Sequence, residues 1–191
     1  VVSGHPDRHV LRVVLPGESA AAFYLKRQHS VSWRERLRNK LAGFGWSSRC
    51  VREATILKDL QAATLPAPNW VAFGEDERGR AFLLVEEVAG AADLRQALSD
   101  NALSLAGRRQ FTTRLGELIA RVHDAGFTTP DLTAKHVLVS PNGGITLIDW
   151  QSARRVRSVP LAERLSSLAA LHASVAEELA TPRERLRLLH C

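Results

Sequence analysis

The chain has 191 residues, 45% hydrophobic and 24% charged with a formal net charge of +6, enough apolar side chains for a packed core without disulfide support. Its two cysteines, Cys50 and Cys191, lie far apart and show neither metal-ligand spacing nor a dense secreted pattern, which excludes a disulfide scaffold and points to a reducing, cytoplasmic setting. No apolar run approaches the roughly 20 residues of a membrane-spanning helix, and the N-terminus lacks the basic-then-apolar layout of a signal peptide.

Methionine is absent and the sequence opens on Val1-Val2, so a fragment of a longer protein is expected. From Val10 to Leu15 the residues are β-branched or apolar, "PGES" offers a turn, and "AAAFYLK" leads to Lys26, which predicts a hairpin. In "SWRERLRNKLAGFGW" the four-residue spacing of Trp33, Leu37 and Leu41 predicts a short amphipathic helix with arginines on its other faces, ended by Gly43 and Gly45. A second helix is expected over about Arg49 to Ala62, with Ile56, Leu57 and Leu60 as its apolar stripe. Between Lys26 and Lys58 nine Lys/Arg face two acids, so a local balance of +7 leaves −1 for the remainder. Such a block suits an anionic partner such as phosphate, lipid headgroups or nucleic acid, and equally a solvated basic face. Val71 to Phe73 and "AFLLVEEV" read as two more strands, joined by the charged turn "GEDERGR".

After "AGAAD" one long helical region is expected from Leu94 to Ala125, with Leu115, Leu118, Ile119 and Val122 on one face and Gly126 as the stop. "HVLVS" and "ITLID" then predict short strands around the reversing turn "PNGG", and the tail from Pro160 to Cys191 is helical in pattern. A mostly β first part and a mostly α second part predict two lobes joined near Glu86 to Gly90.

Phosphoryl transfer asks for a cation on the nucleotide phosphates, a carboxylate for Mg²⁺ and a carboxylate near the attacking hydroxyl. Lys26 ends an apolar strand. Glu53 falls on the same helical face as Ile56, Leu57 and Leu60, where a carboxylate is costly unless paired, and Lys26 is the partner expected; the alternative is a wet edge position. Asp131 follows a helix and a Gly-containing turn and precedes a strand, and Asp149 closes the paired strand. Two aspartates at the ends of one small β-unit fit a base-plus-metal site. His136 stands five residues after Asp131.

On "FYLKR", "SWRERLRNKL", "REATIL", "FLLVEEV", "HDAGFTTPDLTAKHVLV" and "LIDWQSAR", from about Val10 to Leu171, the chain resembles the bacterial lipopolysaccharide kinase family that phosphorylates Kdo or heptose sugars of the inner core. The resemblance implies an α+β, protein-kinase-like two-lobe fold: a small antiparallel β N-lobe with one main helix, over about residues 1–88, and a reduced helical C-lobe, over about 89–191, in a single kinase-like domain. It assigns Lys26 to the α/β-phosphates of ATP, Glu53 to its ion pair, Asp131 to the catalytic carboxylate and Asp149 to Mg²⁺. It further implies that Glu86 and Val88 supply hinge backbone groups to adenine and that Lys135 reaches the transferred phosphate, an exposed loop lysine being the alternative. Histidine at position 136, where protein kinases carry asparagine, is similar to the heptose-kinase variant. Because Mg²⁺ prefers oxygen to imidazole nitrogen, His136 is expected to orient Asp131 or a phosphate, or to satisfy local backbone groups, leaving Asp149 to carry the metal.

Thr129-Pro130 replaces the His-Arg of protein kinases, and the only glycine-loop candidate, "SGHPDRH" from Ser3 to His9, holds one glycine. The expected activity is ATP- and Mg²⁺-dependent phosphorylation of a sugar hydroxyl on a lipopolysaccharide core or similar glycolipid, in the cytoplasm or at the inner face of the cytoplasmic membrane. The basic helix Trp33 to Lys40, with Arg154, Arg155 and Arg157, is expected to touch an anionic membrane or an acidic saccharide. The alternatives are a nucleotide-binding pseudokinase and a kinase of a soluble small molecule of the aminoglycoside-phosphotransferase type. A nucleic-acid role is not expected, since Trp33, Phe44 and Trp46 are the only aromatics interleaved with the basic block.

Overall fold

The computed structural model describes residues 3–5, 7–15, 21–100 and 104–190. The expected "PGES" turn and Cys191 therefore lie outside the described residues. The chain divides into two compact units, Val1–Ala89 and Gly90–Cys191. The architecture is α+β, with antiparallel strands dominating the first unit and helices the second.

In the first unit, β1 (Ser3–His5), β2 (Arg8–Leu15), β3 (Ala21–Gln28), α1 (Trp33–Leu41), α2 (Arg49–Ala62), β4 (Trp70–Glu75) and β5 (Ala81–Glu86) follow in order. The strands form one antiparallel sheet ordered β1-β2-β3-β5-β4. The glycine-loop candidate belongs to its edge: Ser3–His5 pairs with β2 in the register Ser3↔Val10, Gly4↔His9 and His5↔Arg8, while Pro6 lies outside the described residues. Helix α2 starts at Ser48, whose hydroxyl accepts the Val51 N–H, and packs on β4 and β5. Its Ala54, Ile56 and Leu60 are fully buried and Leu57 almost so, over Leu83 and Val85 of the sheet. Cys50 on the same helix is buried, which pushes its thiol up to about 12.

The polarity of α1 is the reverse of a core-facing helix. Trp33, Leu37 and Leu41 are exposed, whereas Asn39 is buried and Glu35 and Arg36 are half-buried. The inward contacts are polar. Glu35 accepts from Gln28 Nε2 at 2.9 Å and from the Arg49 N–H at 3.1 Å, Asn39 Nδ2 donates to Ser47 O at 2.8 Å, and Arg36 pairs with Glu75.

The second unit runs β6 (Ala92–Asp93), α3 (Leu94–Ser99), α4 (Leu105–Asp124), β7 (Phe127–Thr128), β8 (Val137–Val139), β9 (Ile145–Leu147), β10 (Arg154–Arg155), α5 (Leu161–Ser174) and α6 (Pro182–Leu189). The helical region expected over Leu94 to Ala125 consists of two helices. Asp93 caps α3 in a capping box, Asp100 is its C-cap, and Ser104 caps α4 by accepting the Gly107 N–H at 3.1 Å. "PNGG" joins β8 to β9, with Gly143 N–H donating to Ser140 O and Ser140 N–H to Gly144 O.

Gly126 is the tightest point of this unit. Its φ is +86°, a Cβ there would sit 2.1 Å from Val156 O, and its own carbonyl accepts the Val156 N–H at 2.8 Å. That contact holds β7 against β10 and so places the segment leading to Asp131. The buried His123 Nε2 lies 3.0 Å from Ser167 Oγ, whose hydroxyl is spent on Arg164 O; Nε2 is therefore the donor.

Gly126→Ala is expected to lower unfolding free energy by about 2–4 kcal/mol in chemical denaturation, from positive φ plus a backbone clash. Burial, helped by the Arg164 charge and opposed by Asp124, holds the His123 pKa below its usual 6.5. The unfolded chain thus binds this proton first, and stability is full above pH 6.5 and falls as pH drops through that value toward the folded pKa. The denaturation midpoint is expected to fall over that range in the parent and less steeply in His123→Gln, which keeps a donor for Ser167.

Candidate active site

In the first unit, Lys26 lies on β3 opposite Val10 and Leu83, and its ammonium meets Glu53 Oε1 at 2.6 Å. Glu53 is only 4% exposed, so the wet-edge alternative does not hold. A carboxylate buried among Ile56, Leu57 and Leu60 persists because Lys26 compensates it, and the lysine is thereby held in one position. Glu86, the last residue of β5, is exposed; its N–H donates to Asn69 O at 2.8 Å and its carboxylate accepts from Asn69 Nδ2 at 2.8 Å. That N–H is committed within the sheet, so any adenine contact at Glu86 falls to its carbonyl. Val88 is half-buried two residues beyond the strand.

Glu87, which the sequence reading passed over, gathers a cluster. Arg12 donates to both its oxygens, with Nη2 at 2.7 Å from Oε2, and the Tyr24 hydroxyl donates at 3.1 Å. The Arg12 guanidinium holds the Glu87 carboxyl below the usual carboxylate range. Its N–H also donates to Ala22 O at 2.9 Å, so the chain leaving β5 is fastened to β2 and β3. The signal available in sequence was the Arg12↔Tyr24 cross-strand pair, visible only once register is known.

In the second unit, Asp131 is half-exposed and its N–H donates to Thr129 Oγ1 at 3.2 Å. Thr128, Thr129 and Leu132 around it are buried. The hydroxyl turn at Thr129 therefore supports the loop without the histidine of protein kinases. A second support comes from α5, where Ser174 Oγ accepts the Ala134 N–H at 2.7 Å. Lys135 is exposed on the 3₁₀ turn Ala134–His136.

His136 joins the two aspartates. Its Nδ1 lies 2.7 Å from the Asp131 carbonyl oxygen and 3.2 Å from Thr133 Oγ1, while Nε2 lies 3.3 Å from Asp149 Oδ2. A carbonyl only accepts, so Nδ1 carries the hydrogen and, in the neutral ring, Nε2 turns a lone pair toward the carboxylate. The imidazole thus satisfies a local backbone group, and that group belongs to Asp131.

Asp149 occupies the left-handed region, φ 62° and ψ 61°, between β9 and the 3₁₀ turn Trp150–Ser152. For an L-residue in general this conformation costs about 1–2 kcal/mol, and aspartate is among the few side chains that adopt it singly. The turn is held from both sides: Trp150 is 1% exposed with Nε1 donating to Leu147 O at 2.8 Å, and Ile148 N–H donates to His136 O at 2.9 Å. Backbone strain maintained by packing clusters at functional sites. Among the described residues no group of three His, Cys, Asp or Glu side chains could hold a metal ion. Of the Asp149 carboxylate and the His136 imidazole beside it, only the carboxylate is a hard oxygen donor of the kind Mg²⁺ takes, an ion that keeps several waters and substrate phosphate oxygens rather than an all-protein cage. Arg154 is engaged by Glu163 at 2.5 Å and Arg155 lies over the Phe127 ring at 5.2 Å, so both have intramolecular partners.

Glu53→Ala, which strands the Lys26 ammonium, is expected to cost about 3 kcal/mol by denaturant titration. Lys26→Met/Glu53→Leu is expected to recover most of that stability while abolishing nucleotide-induced thermal stabilisation. Recovery of both would make the pair purely structural.

A profile of the Lipopolysaccharide kinase (Kdo/WaaP) family matches residues 7–191. Among curated relatives, the chain is 35% identical over 172 residues to a 3-deoxy-D-manno-octulosonic acid kinase of Xanthomonas oryzae pv. oryzae (strain PXO99A), covering 88% of this chain and 61% of that one. It is 30% identical over 139 residues to the enzyme of that name from Photobacterium damsela subsp. piscicida, covering 70% and 55%. The Stenotrophomonas maltophilia (strain K279a) protein of that name is 36% identical over 106 residues, covering 54% and 41%. The chain thus spans about half the length of the curated relatives it matches. With a profile match over nearly its whole length, the chain belongs to the lipopolysaccharide kinase (Kdo/WaaP) family.

Proposed function

We propose that this protein transfers the γ-phosphate of ATP to a sugar hydroxyl of a lipopolysaccharide core or similar glycolipid, Kdo being favoured over heptose by the names of its relatives. The observation that carries the reading is the imidazole of His136, hydrogen-bonded to the Asp131 carbonyl and facing the Asp149 carboxylate. In this reading the acceptor oxygen bonds to the γ-phosphorus as the bond to the β–γ bridging oxygen breaks. ADP leaves with the electron pair, and the hydroxyl proton passes to Asp131. Lys26, positioned by Glu53, neutralises nucleotide phosphate charge, and Lys135 lies on the loop that would meet the transferred group. Asp149, with His136 beside it, would hold Mg²⁺. The ion, when bound, supplies charge neutralisation on the phosphates. Glu86 and Val88 supply backbone groups to adenine, the Glu86 contribution being its carbonyl.

In this reading the use of ATP favours the cytoplasm or the inner face of the cytoplasmic membrane as the site of reaction. No described helix is long and apolar enough to cross a membrane.

Asp131→Asn is expected to lower transfer to a Kdo-containing core acceptor by about 10²–10⁴-fold, detected by product mass, while thermal stabilisation by Mg-ATP persists. Mg-ATP stabilisation of the parent protein with no transfer to Kdo, heptose or soluble amino-sugar acceptors would identify a pseudokinase instead. Transfer confined to the soluble acceptors would identify a small-molecule kinase.

A further inference from the structure

Helix α1 shows the outside world the side that surface helices ordinarily hide. At about 100° per residue, Trp33, Leu37 and Leu41 fall within an arc of about 80°. Arg34 and Arg38 flank that arc on one side and Lys40 on the other. The three apolar residues are 62%, 38% and 81% exposed. The opposite face is consumed by docking: Glu35 holds Gln28 and Arg49, Arg36 holds Glu75 and the Trp46 carbonyl, and Asn39 holds Ser47 and Arg52. The helix cannot roll its leucines inward without breaking those bonds, several of them between half-buried charged groups. Single exposed apolar side chains are ordinary, but a contiguous row of tryptophan and leucines at i, i+4 and i+8 marks an interaction surface.

The occupant follows from the charge. Arg34 lies over the Trp33 ring at 5.6 Å, and the segment from Lys26 to Lys58 carries nine Lys/Arg against two acids. An apolar stripe with cations on both flanks suits an extended anionic plane, into which tryptophan and leucine sink while arginine and lysine reach the headgroups. A second copy of this chain packed stripe to stripe would bring the same cations against themselves. We propose that α1 is an interfacial anchor that seats Trp33, Leu37 and Leu41 at the acyl boundary of an anionic bilayer, with Arg34, Arg38 and Lys40 on the lipid phosphates. This docking stands independently of the phosphotransfer reading.

The test is co-sedimentation with phosphatidylcholine vesicles and with vesicles of equal parts phosphatidylcholine and phosphatidylglycerol. The parent chain is expected to partition at least about tenfold more strongly onto the anionic vesicles, an advantage that shrinks at high salt. Trp33→Ser/Leu37→Ser/Leu41→Ser is expected to lose at least about tenfold of that partitioning, and Arg34→Gln/Arg38→Gln/Lys40→Gln to lose the anionic preference. Both variants alter exposed side chains and should melt with the parent. Absence of vesicle binding by the parent chain, or equal binding by the serine variant, would overturn the proposal whatever the transfer assay shows. So would a dimer in sedimentation velocity that the serine substitutions convert to monomer, which assigns the stripe to a second copy.

Discussion

The second unit is organised around one imidazole. His136 reaches the backbone carbonyl of Asp131 with Nδ1 and the carboxylate of Asp149 with Nε2, so the loop before β8 and the turn after β9 are fixed relative to each other by a rigid ring. Each neighbouring feature supports that geometry. Ile148 donates to the His136 carbonyl, Trp150 is sunk in the core beneath the strained Asp149, Thr129 closes the turn into Asp131, and Ser174 ties the loop to α5. An asparagine side chain could offer an amide oxygen to a metal there. A histidine instead offers one ring nitrogen to the Asp131 carbonyl and the other to the Asp149 carboxylate.

In the first unit the comparable constraint is the burial of Glu53. Its cost is offset by Lys26, and the same attraction removes the lysine's rotamer freedom. Polar burial recurs in α1, where Glu35, Arg36 and Asn39 form the docking face and the apolar residues are left outside. The two cases differ in consequence. Around Lys26 the buried charge positions a single cation, whereas in α1 the buried polar groups turn a whole helix around and create an amphipathic outer surface.

Much of this was legible in the chain itself. The hairpin strands, α2 with Glu53 on its apolar stripe, the β8–β9 pair and the two aspartates follow from periodicity and turn residues, because each is specified within a window of a few residues. The break between α3 and α4 was present in the text as Asp100 and Ser104, but cap residues weigh less than a continuing apolar pattern until hydrogen bonds show them in use. Thr129 read as a loss of kinase machinery, and its replacement function depends on a two-residue hydroxyl turn that no spacing announces. The Arg12–Tyr24–Glu87 cluster joins residues 75 and 63 positions apart and needed the sheet register.

The sequence by itself determined the element types, the α+β class, the family resemblance and the identity of the charged groups suited to phosphoryl transfer, since these depend on local pattern and side-chain chemistry. Only the tertiary structure decided which charges are buried and with whom: Glu53 with Lys26, His136 between Asp131 and Asp149, Arg154 with Glu163. It alone decided which face of α1 points outward. The physical reason is that an amphipathic pattern states the difference between two faces of a helix but not which is inside. That choice is made by the partners waiting on the rest of the fold, here Gln28, Ser47, Arg52 and Glu75, which favour the polar side.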